Sequence, residues 1–229
     1  MKMITRPSLL WILLLACSAG AASPQPAPVP PDWEPEIAAF EAADAAAAPP
    51  KNAILFIGSS SIRLWRTLAE DFPGHTMLNR GFGGSTIADS LRFIPRIVTP
   101  YKPRRIVMYA GGNDINNGLT AQAVAEDFKS FVRAARRASP DIPIVYISIA
   151  ANPARWGQYD RIMAANSLIR SYCRSAKGLS FVDVTSYMLG PDGSPRPELF
   201  VEDGLHMNPA GYRLWRRLLA PHLGPPDRP

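Results

Sequence analysis

The chain has 229 residues, with 25 Lys and Arg against 19 Asp and Glu for a net charge of +6 at pH 7. That length accommodates one globular domain with terminal extras. The apolar share of 47% is ordinary for a soluble domain, whereas 24 prolines is high, with most of the excess near the two ends. No long Lys/Arg block occurs, and Arg213, Arg216 and Arg217 are interleaved with apolar residues as on an ordinary amphipathic helix. Nucleic-acid binding needs a clustered basic face, so that class of partner is excluded.

At the N-terminus, Lys2 and Arg6 precede the apolar stretch Leu9 to Ala16, and small residues follow. The stretch is far short of the roughly 20 residues a membrane-spanning helix needs. Residues 1–22 therefore read as a secretory signal peptide, and the protein as exported. No second run of this kind appears, so no transmembrane helix is expected in the mature form. Cys17, in LLLACSAG, resembles a bacterial lipoprotein processing site, which would make it a lipidated N-terminus anchored at the cell envelope. Ordinary cleavage around Gly20 to Ser23 is the competing reading. A disulfide to Cys173 would require the leader to be retained, so Cys173 is expected to be a packed thiol.

Residues 23–31 (SPQPAPVPP) have the composition of a proline-rich linker. The domain is expected over 32–223, with a disordered tail at 224–229. Pro35 to Ala48 is a strong helix former, alanine-rich and therefore expected on the domain surface. An alternation follows. Strands are expected at Ala53 to Ile57, Thr76 to Leu78, Arg105 to Tyr109, Ile144 to Ile149 and Leu179 to Val182. Between them lie helices at Ser61 to Ala69, Ile87 to Val98 (interrupted at Pro95), Ala121 to Ser139 and Tyr159 to Ser175, and a last one spans Pro209 to Leu219. This repeated pattern predicts an α/β fold, a parallel sheet of about five strands covered on both faces.

Ligands of such sheets bind at the carboxyl ends of the strands, and the small polar motifs fall there. The first strand runs into Gly58-Ser59-Ser60-Ser61, the second into Asn79 to Thr86, the third into Gly111-Gly112-Asn113-Asp114, and the fourth leads to Asn152 to Trp156. Asp203-Gly204-Leu205-His206 precedes the last helix. Each has an ordinary structural reading: a helix N-cap, a loop, a turn. A dinucleotide loop at Gly81 to Gly84 is weak, because Thr86 stands where the third glycine belongs.

Together they suit nucleophilic catalysis. Of the three histidines, His75, His206 and His222, His206 is the best-placed general base. Serine needs such a base, and the base needs a third group, which Asp203 can supply from the same side of a helical turn. The backbone N–H groups of Ser60 and Gly84 and the Asn113 amide can serve as oxyanion donors.

These blocks resemble the SGNH hydrolases, or GDSL-type esterases and lipases. The resemblance implies a flavodoxin-like three-layer α/β/α sandwich. It also implies Ser60, Asp203 and His206 as the catalytic set, and Ser60, Gly84 and Asn113 as the oxyanion hole. The block after His206 continues MNPAGY, as in many members. Two positions depart from the pattern: Ser59 precedes the nucleophile and Ser85 follows the oxyanion glycine, where aspartates are usual. The serine triplet leaves Ser59 and Ser61 as alternative nucleophiles.

An α/β-hydrolase is excluded, since its motif would need glycine at Ile62. No cofactor is expected, and no metal, for want of a ligand cluster. The expected reaction is hydrolysis of a small-molecule or glycan ester, short-chain or O-acetyl. Phe82, Ile115, Arg155 and Trp156 are the candidates to line the acyl pocket, with Arg155 able to meet an anionic group. Packing of Arg155 on Trp156 by a cation–π contact is the alternative. A lysophospholipase or thioesterase would share the chemistry. A non-catalytic glycan- or lipid-binding module is opposed by the complete set of site residues.

Overall fold

The central strands are apolar along nearly their whole length, which a parallel sheet covered on both faces requires. The computed structural model describes residues 32–227. In chain order the elements are α1 (Glu34–Ala46), β1 (Ile54–Gly58), α2 (Ser60–Arg63), α3 (Leu68–Asp71), β2 (Met77–Gly81), α4 (Ile87–Arg92) and α5 (Ile94–Ile97). There follow β3 (Arg105–Tyr109), α6 (Gly112–Asn116), α7 (Ala121–Ala138), β4 (Ile144–Ile147), α8 (Tyr159–Ser175), β5 (Leu179–Val182) and α9 (Pro209–Leu219). The five strands pair in parallel in the order β2-β1-β3-β4-β5. The chain winds one way from β1 to β2 and the other way from β3 onward, so a crevice opens at the carboxyl ends of β1 and β3.

Alternate strand residues feed two cores, as the two-residue period demands. Leu55, Ile57, Ile106, Met108, Ile144 and Tyr146 pack with Val124, Phe128, Phe131 and Val132 of α7 and Ile162 and Ile169 of α8. Ile54, Phe56, Val107, Tyr109, Val145 and Ile147 meet Trp65, Phe72, Tyr212 and Trp215 on the other face. That second layer is rich in ring contacts, with Trp65 to Tyr212 at 5.2 Å and Tyr109 to Trp215 at 4.6 Å between centroids. Each such pair adds about 0.5–1.5 kcal/mol beyond its buried area.

Several boundaries differ from expectation for identifiable reasons. The helix expected over Ser61 to Ala69 is two single turns, because Asp71 accepts from both Trp65 Nε1 and Thr67 Oγ1 at 2.7 Å and holds a bend between them. β2 extends to Gly81 through the polar Asn79 and Arg80. Arg80 is buried there without loss, donating to Tyr101 Oη at 2.8 Å and to Asn79 O at 3.0 Å and pairing with Asp44. The break expected at Pro95 falls at Phe93 instead; Pro95 sits in the first turn of α5, where its missing N–H costs nothing. β4 stops at Ile147 because the Asn166 side chain takes both the N–H and the C=O of Ile149, at 2.8 and 3.0 Å.

α1 lies on the surface with Ile37 buried and Phe40 packed beneath it. Cys173 is buried, which pushes its thiol up to about 12. Of the tail expected to be disordered, the described part is docked: Asp227 Oδ2 accepts from Thr76 N at 2.6 Å, and Asp227 pairs with Arg104 at 2.6 Å. The leader, the linker and Cys17 lie outside the described residues. Among the described residues no helix is long and apolar enough to cross a membrane.

Asp114 of α6 is fully buried; its Oδ1 accepts from Ile87 N at 3.0 Å, while Oδ2 has no hydrogen-bond partner. Burial pushes this carboxyl up from 3.8 to about 6. Between those values the folded protein binds more protons than the unfolded chain. The stability this supplies is complete below about 3.8 and is lost as pH rises through about 6. Thermal melts of the parent and Asp114→Asn should therefore differ in slope, the parent gaining Tm between pH 7 and pH 4.5 relative to the variant.

Candidate active site

The chain reaches the site through a close approach of two strands. Gly58 ends β1 with φ of +134°, and a Cβ there would sit 1.9 Å from the Tyr109 carbonyl oxygen, so only glycine fits. Ser59 N donates to that same carbonyl at 3.0 Å, and the next residue, Ser60, begins α2. Ser59 and Ser61 are buried, whereas Ser60 is half-buried. Ser60 is the member of the triplet that meets a histidine: His206 Nε2 lies 2.9 Å from Ser60 Oγ.

The Asp203–His206 pair forms without the helical turn expected from its spacing. Asp203 Oδ1 accepts the backbone N–H groups of Leu205 and His206, each at 2.8 Å, and so makes an Asx-type turn. Its second oxygen, Oδ2, lies 2.5 Å from His206 Nδ1. The backbone N–H of His206 is the main reason that the Asp203 carboxyl is held down at about 2, with the imidazole bond adding to it. An ionised carboxylate only accepts, so Nδ1 carries the imidazole proton and the Nε2 lone pair faces the Ser60 hydroxyl.

The residues after His206 secure this loop. Asn208 caps α9 through Ala210 N at 2.8 Å and Gly211 N at 3.2 Å, while its amide donates to Glu198 O at 2.9 Å and Phe200 O at 3.0 Å. Tyr212 Oη then donates to Ser61 O at 2.9 Å, joining the base's helix to the serine's turn. The MNPAGY stretch is thus a clamp between two halves of the site.

Opposite lies the donor side. Gly84 is exposed with φ of +81°, and the Trp33 ring stands 3.1 Å from where its Cβ would be. Ser85 is fully buried beneath it, its Oγ 2.9 Å from Phe82 O and 3.2 Å from Gly58 O. This position does not need an aspartate to tie the loop to β1. Asn113 Nδ2 donates to Ser85 O at 3.0 Å, and Asn113 Oδ1 accepts from Arg155 Nη2 at 2.9 Å. Among the described residues, the backbone N–H groups of Ser60 and Gly84 donate to no protein acceptor. These two backbone groups and the Asn113 amide are the donors that the sequence marks as candidates for an oxyanion hole.

The expected acyl-pocket residues do not come together. Phe82 and Ile115 are both 0% exposed and belong to the core, so neither lines an open pocket. Each lies two residues from a candidate donor, Gly84 or Asn113, yet the local backbone turns its side chain into the core. Trp156 packs on Tyr159 at 4.4 Å and Arg155 Nη2 reaches Asn113, and among the described residues the Arg155–Trp156 cation–π contact is not formed. Trp33 carried no signal in the sequence; Asn152, Ser85 and Tyr212 lie in motifs that the sequence marks, but their bonding roles are defined by distant partners.

A model of the GDSL-like lipase/acylhydrolase family matches residues 57–214, which include Ser60, Gly84, Asn113, Asp203 and His206. Among solved structures, a Streptococcus pneumonia protein described by reference to platelet activating factor is 21% identical, with a TM-score of 0.74 over 83% of this chain and 92% of that one. A GDSL-like lipase from Bacteroides thetaiotaomicron is 22% identical, with a TM-score of 0.69 over 81% and 96%. A carbohydrate esterase of family 3 from Talaromyces cellulolyticus is 17% identical, with a TM-score of 0.58 over 76% and 96%. These likenesses show the fold; no curated protein matches the chain. The family match extends from the end of β1 into α9, and on it the chain belongs to the GDSL-like lipase/acylhydrolase family and is an ester hydrolase.

Proposed function

We propose that the protein is a serine esterase that hydrolyses short acyl esters, O-acetyl groups on glycans in particular, through an acyl-enzyme. The observation behind this reading is the Asp203–His206–Ser60 relay, with contacts of 2.5 and 2.9 Å. Ser60 Oγ attacks the ester carbonyl while His206 Nε2 takes its proton, and Asp203 stabilises the imidazolium. The carbonyl oxygen becomes an oxyanion held by Ser60 N–H, Gly84 N–H and Asn113 Nδ2. As the C–O bond to the alcohol breaks, His206 returns the proton to the leaving oxygen. Water then attacks the acyl-Ser60 with His206 again as base, releasing the acid and restoring the serine.

Two features favour a small acyl group on a larger alcohol. Phe82 and Ile115 are withdrawn into the core, which removes the apolar wall a long chain would need. A groove of about 470 Å³ along α9, lined by Leu64, Val201, Met207 and Tyr212 with Arg66 and Arg213 among its polar residues, is the surface we assign to the alcohol part of the ester. The likeness to a carbohydrate esterase points the same way. Lys2, Arg6 and the apolar Leu9 to Ala16 support export, so the ester would be met at the cell envelope, with Cys17 as a candidate anchor.

Hydrolysis of p-nitrophenyl acetate, butyrate and octanoate tests the reading. Rates should fall with chain length, and Ser60→Ala and His206→Ala should each lose at least about a thousandfold, while Ser59→Ala retains turnover. Equal rates in all variants would mean the site is misassigned. A folded parent inert on every ester would support the binding module, and a preference for octanoate would favour a lipid acylhydrolase.

Asp203→Asn separates orientation from bulk. The amide donates to Nδ1 and forces the wrong imidazole tautomer, so kcat should drop by roughly 1,000- to 10,000-fold.

A further inference from the structure

We infer that Arg155 is a positioning residue for the oxyanion hole, acting through the Asn113 side chain and not through the substrate. The inference rests on the proposed role of Asn113 as an oxyanion donor.

An asparagine amide presents an acceptor and a donor of nearly the same shape, and only its neighbours decide which way it faces. At Asn113 both neighbours are unambiguous. The Arg155 guanidinium only donates, and it lies 2.9 Å from Oδ1. The Ser85 carbonyl only accepts, and it lies 3.0 Å from Nδ2. The two contacts agree on one orientation. One Nδ2 hydrogen then goes to Ser85 O, and the second remains for an oxyanion. Without Arg155, the flipped amide would set a carbonyl oxygen toward the developing negative charge. The cation also polarises the amide, since a hydrogen bond from a charged donor to Oδ1 draws electron density from Nδ2–H.

Arg155 is itself held for this task. Asn152, buried at 6% exposure, accepts from Arg155 N at 3.0 Å through its side-chain oxygen and so caps the turn Pro153–Gln158. Ala154 N donates to Gly204 O at 3.1 Å, between Asp203 and His206. Gln158 Nε2 reaches Asn116 Oδ1 at 3.1 Å, tying the turn to α6. One short turn after β4 thus braces the donor on β3's loop and abuts the base's loop. The guanidinium is half-buried, and that desolvation lowers its pKa from the ordinary arginine value. A solvent-facing arginine kept for capturing anions would not be committed to a neutral amide in this way.

The test is a double-mutant cycle on p-nitrophenyl acetate with Arg155→Ala, Asn113→Ala and the pair, each checked for folding by circular dichroism. Arg155→Ala should lower kcat by roughly 10- to 100-fold with KM little changed, less than the roughly 100- to 1,000-fold expected for Asn113→Ala. In the Asn113→Ala background, removing Arg155 should cost less than about twofold. Arg155→Lys should recover part of kcat, and it serves as the test variant if Arg155→Ala does not fold. Millimolar guanidinium should restore turnover to Arg155→Ala but not to the double variant. A raised KM at unchanged kcat, or an equal loss of kcat in both backgrounds, would overturn the inference and leave the oxyanion reading standing. Parental kcat in Asn113→Ala would overturn the oxyanion reading and this inference with it.

Discussion

The site depends on one contact, the 2.9 Å approach of His206 Nε2 to Ser60 Oγ, made between residues 146 positions apart. A contact of that kind has a strong distance dependence, so both loops must be held against thermal motion by something other than the contact itself. The serine side is held by Gly58 pressed on the Tyr109 carbonyl, where there is no room for any side chain. The histidine side is held by Asp203, whose carboxylate satisfies two backbone N–H groups before it meets the imidazole. Tyr212 closes the arrangement by bonding from α9 to Ser61 O. The catalytic geometry is therefore the by-product of three structural anchors, each buried or locally closed.

The donor side is organised on the same plan but around a buried polar network. Ser85 ties the Gly84 loop to β1, Asn113 reads the Ser85 carbonyl, and Asp114 accepts the Ile87 N–H at the start of α4. Thr86 adds a capping box with Asp89, so the chain leaves this loop in a defined direction. The network has a cost. Asp114 keeps one oxygen without a partner in the core, and its carboxyl is driven up to about 6.

Arg155 shows how a side chain's partner can lie far from its neighbours in sequence. Beside Trp156 in a loop at the sheet's carboxyl edge, it has the look of an anion-binding residue. Its guanidinium instead finds Asn113, because Asn152 caps the turn and aims the side chain inward. Phe82 and Ile115 differ from it. Each lies two residues from a candidate donor, but the local backbone turns its side chain into the core. Open space lies instead along α9, in a groove lined by Leu64, Val201, Met207 and Tyr212.

The sequence by itself determined the alternation of strands and helices and the parallel sheet, and it marked the loops from which the candidate site is built. Continuous apolar runs ending in glycine and small polar residues can be accommodated by few other architectures. Elements such as Tyr159–Ser175, Leu179–Val182 and Pro209–Leu219 were legible to the residue, because capping and periodicity are local properties. Tertiary structure alone decided which serine of the triplet meets the base, where Asp71 bends the chain after α2, and that Asp203 acts from an Asx turn. It also decided that Arg155 serves an amide and that Phe82 and Ile115 are core residues. The Ser60–His206 and Arg155–Asn113 contacts depend on partners tens of residues away, while the Asp71 bend and the Asp203 turn are local bonds whose choice over a regular helix is made by burial once the sheet is assembled.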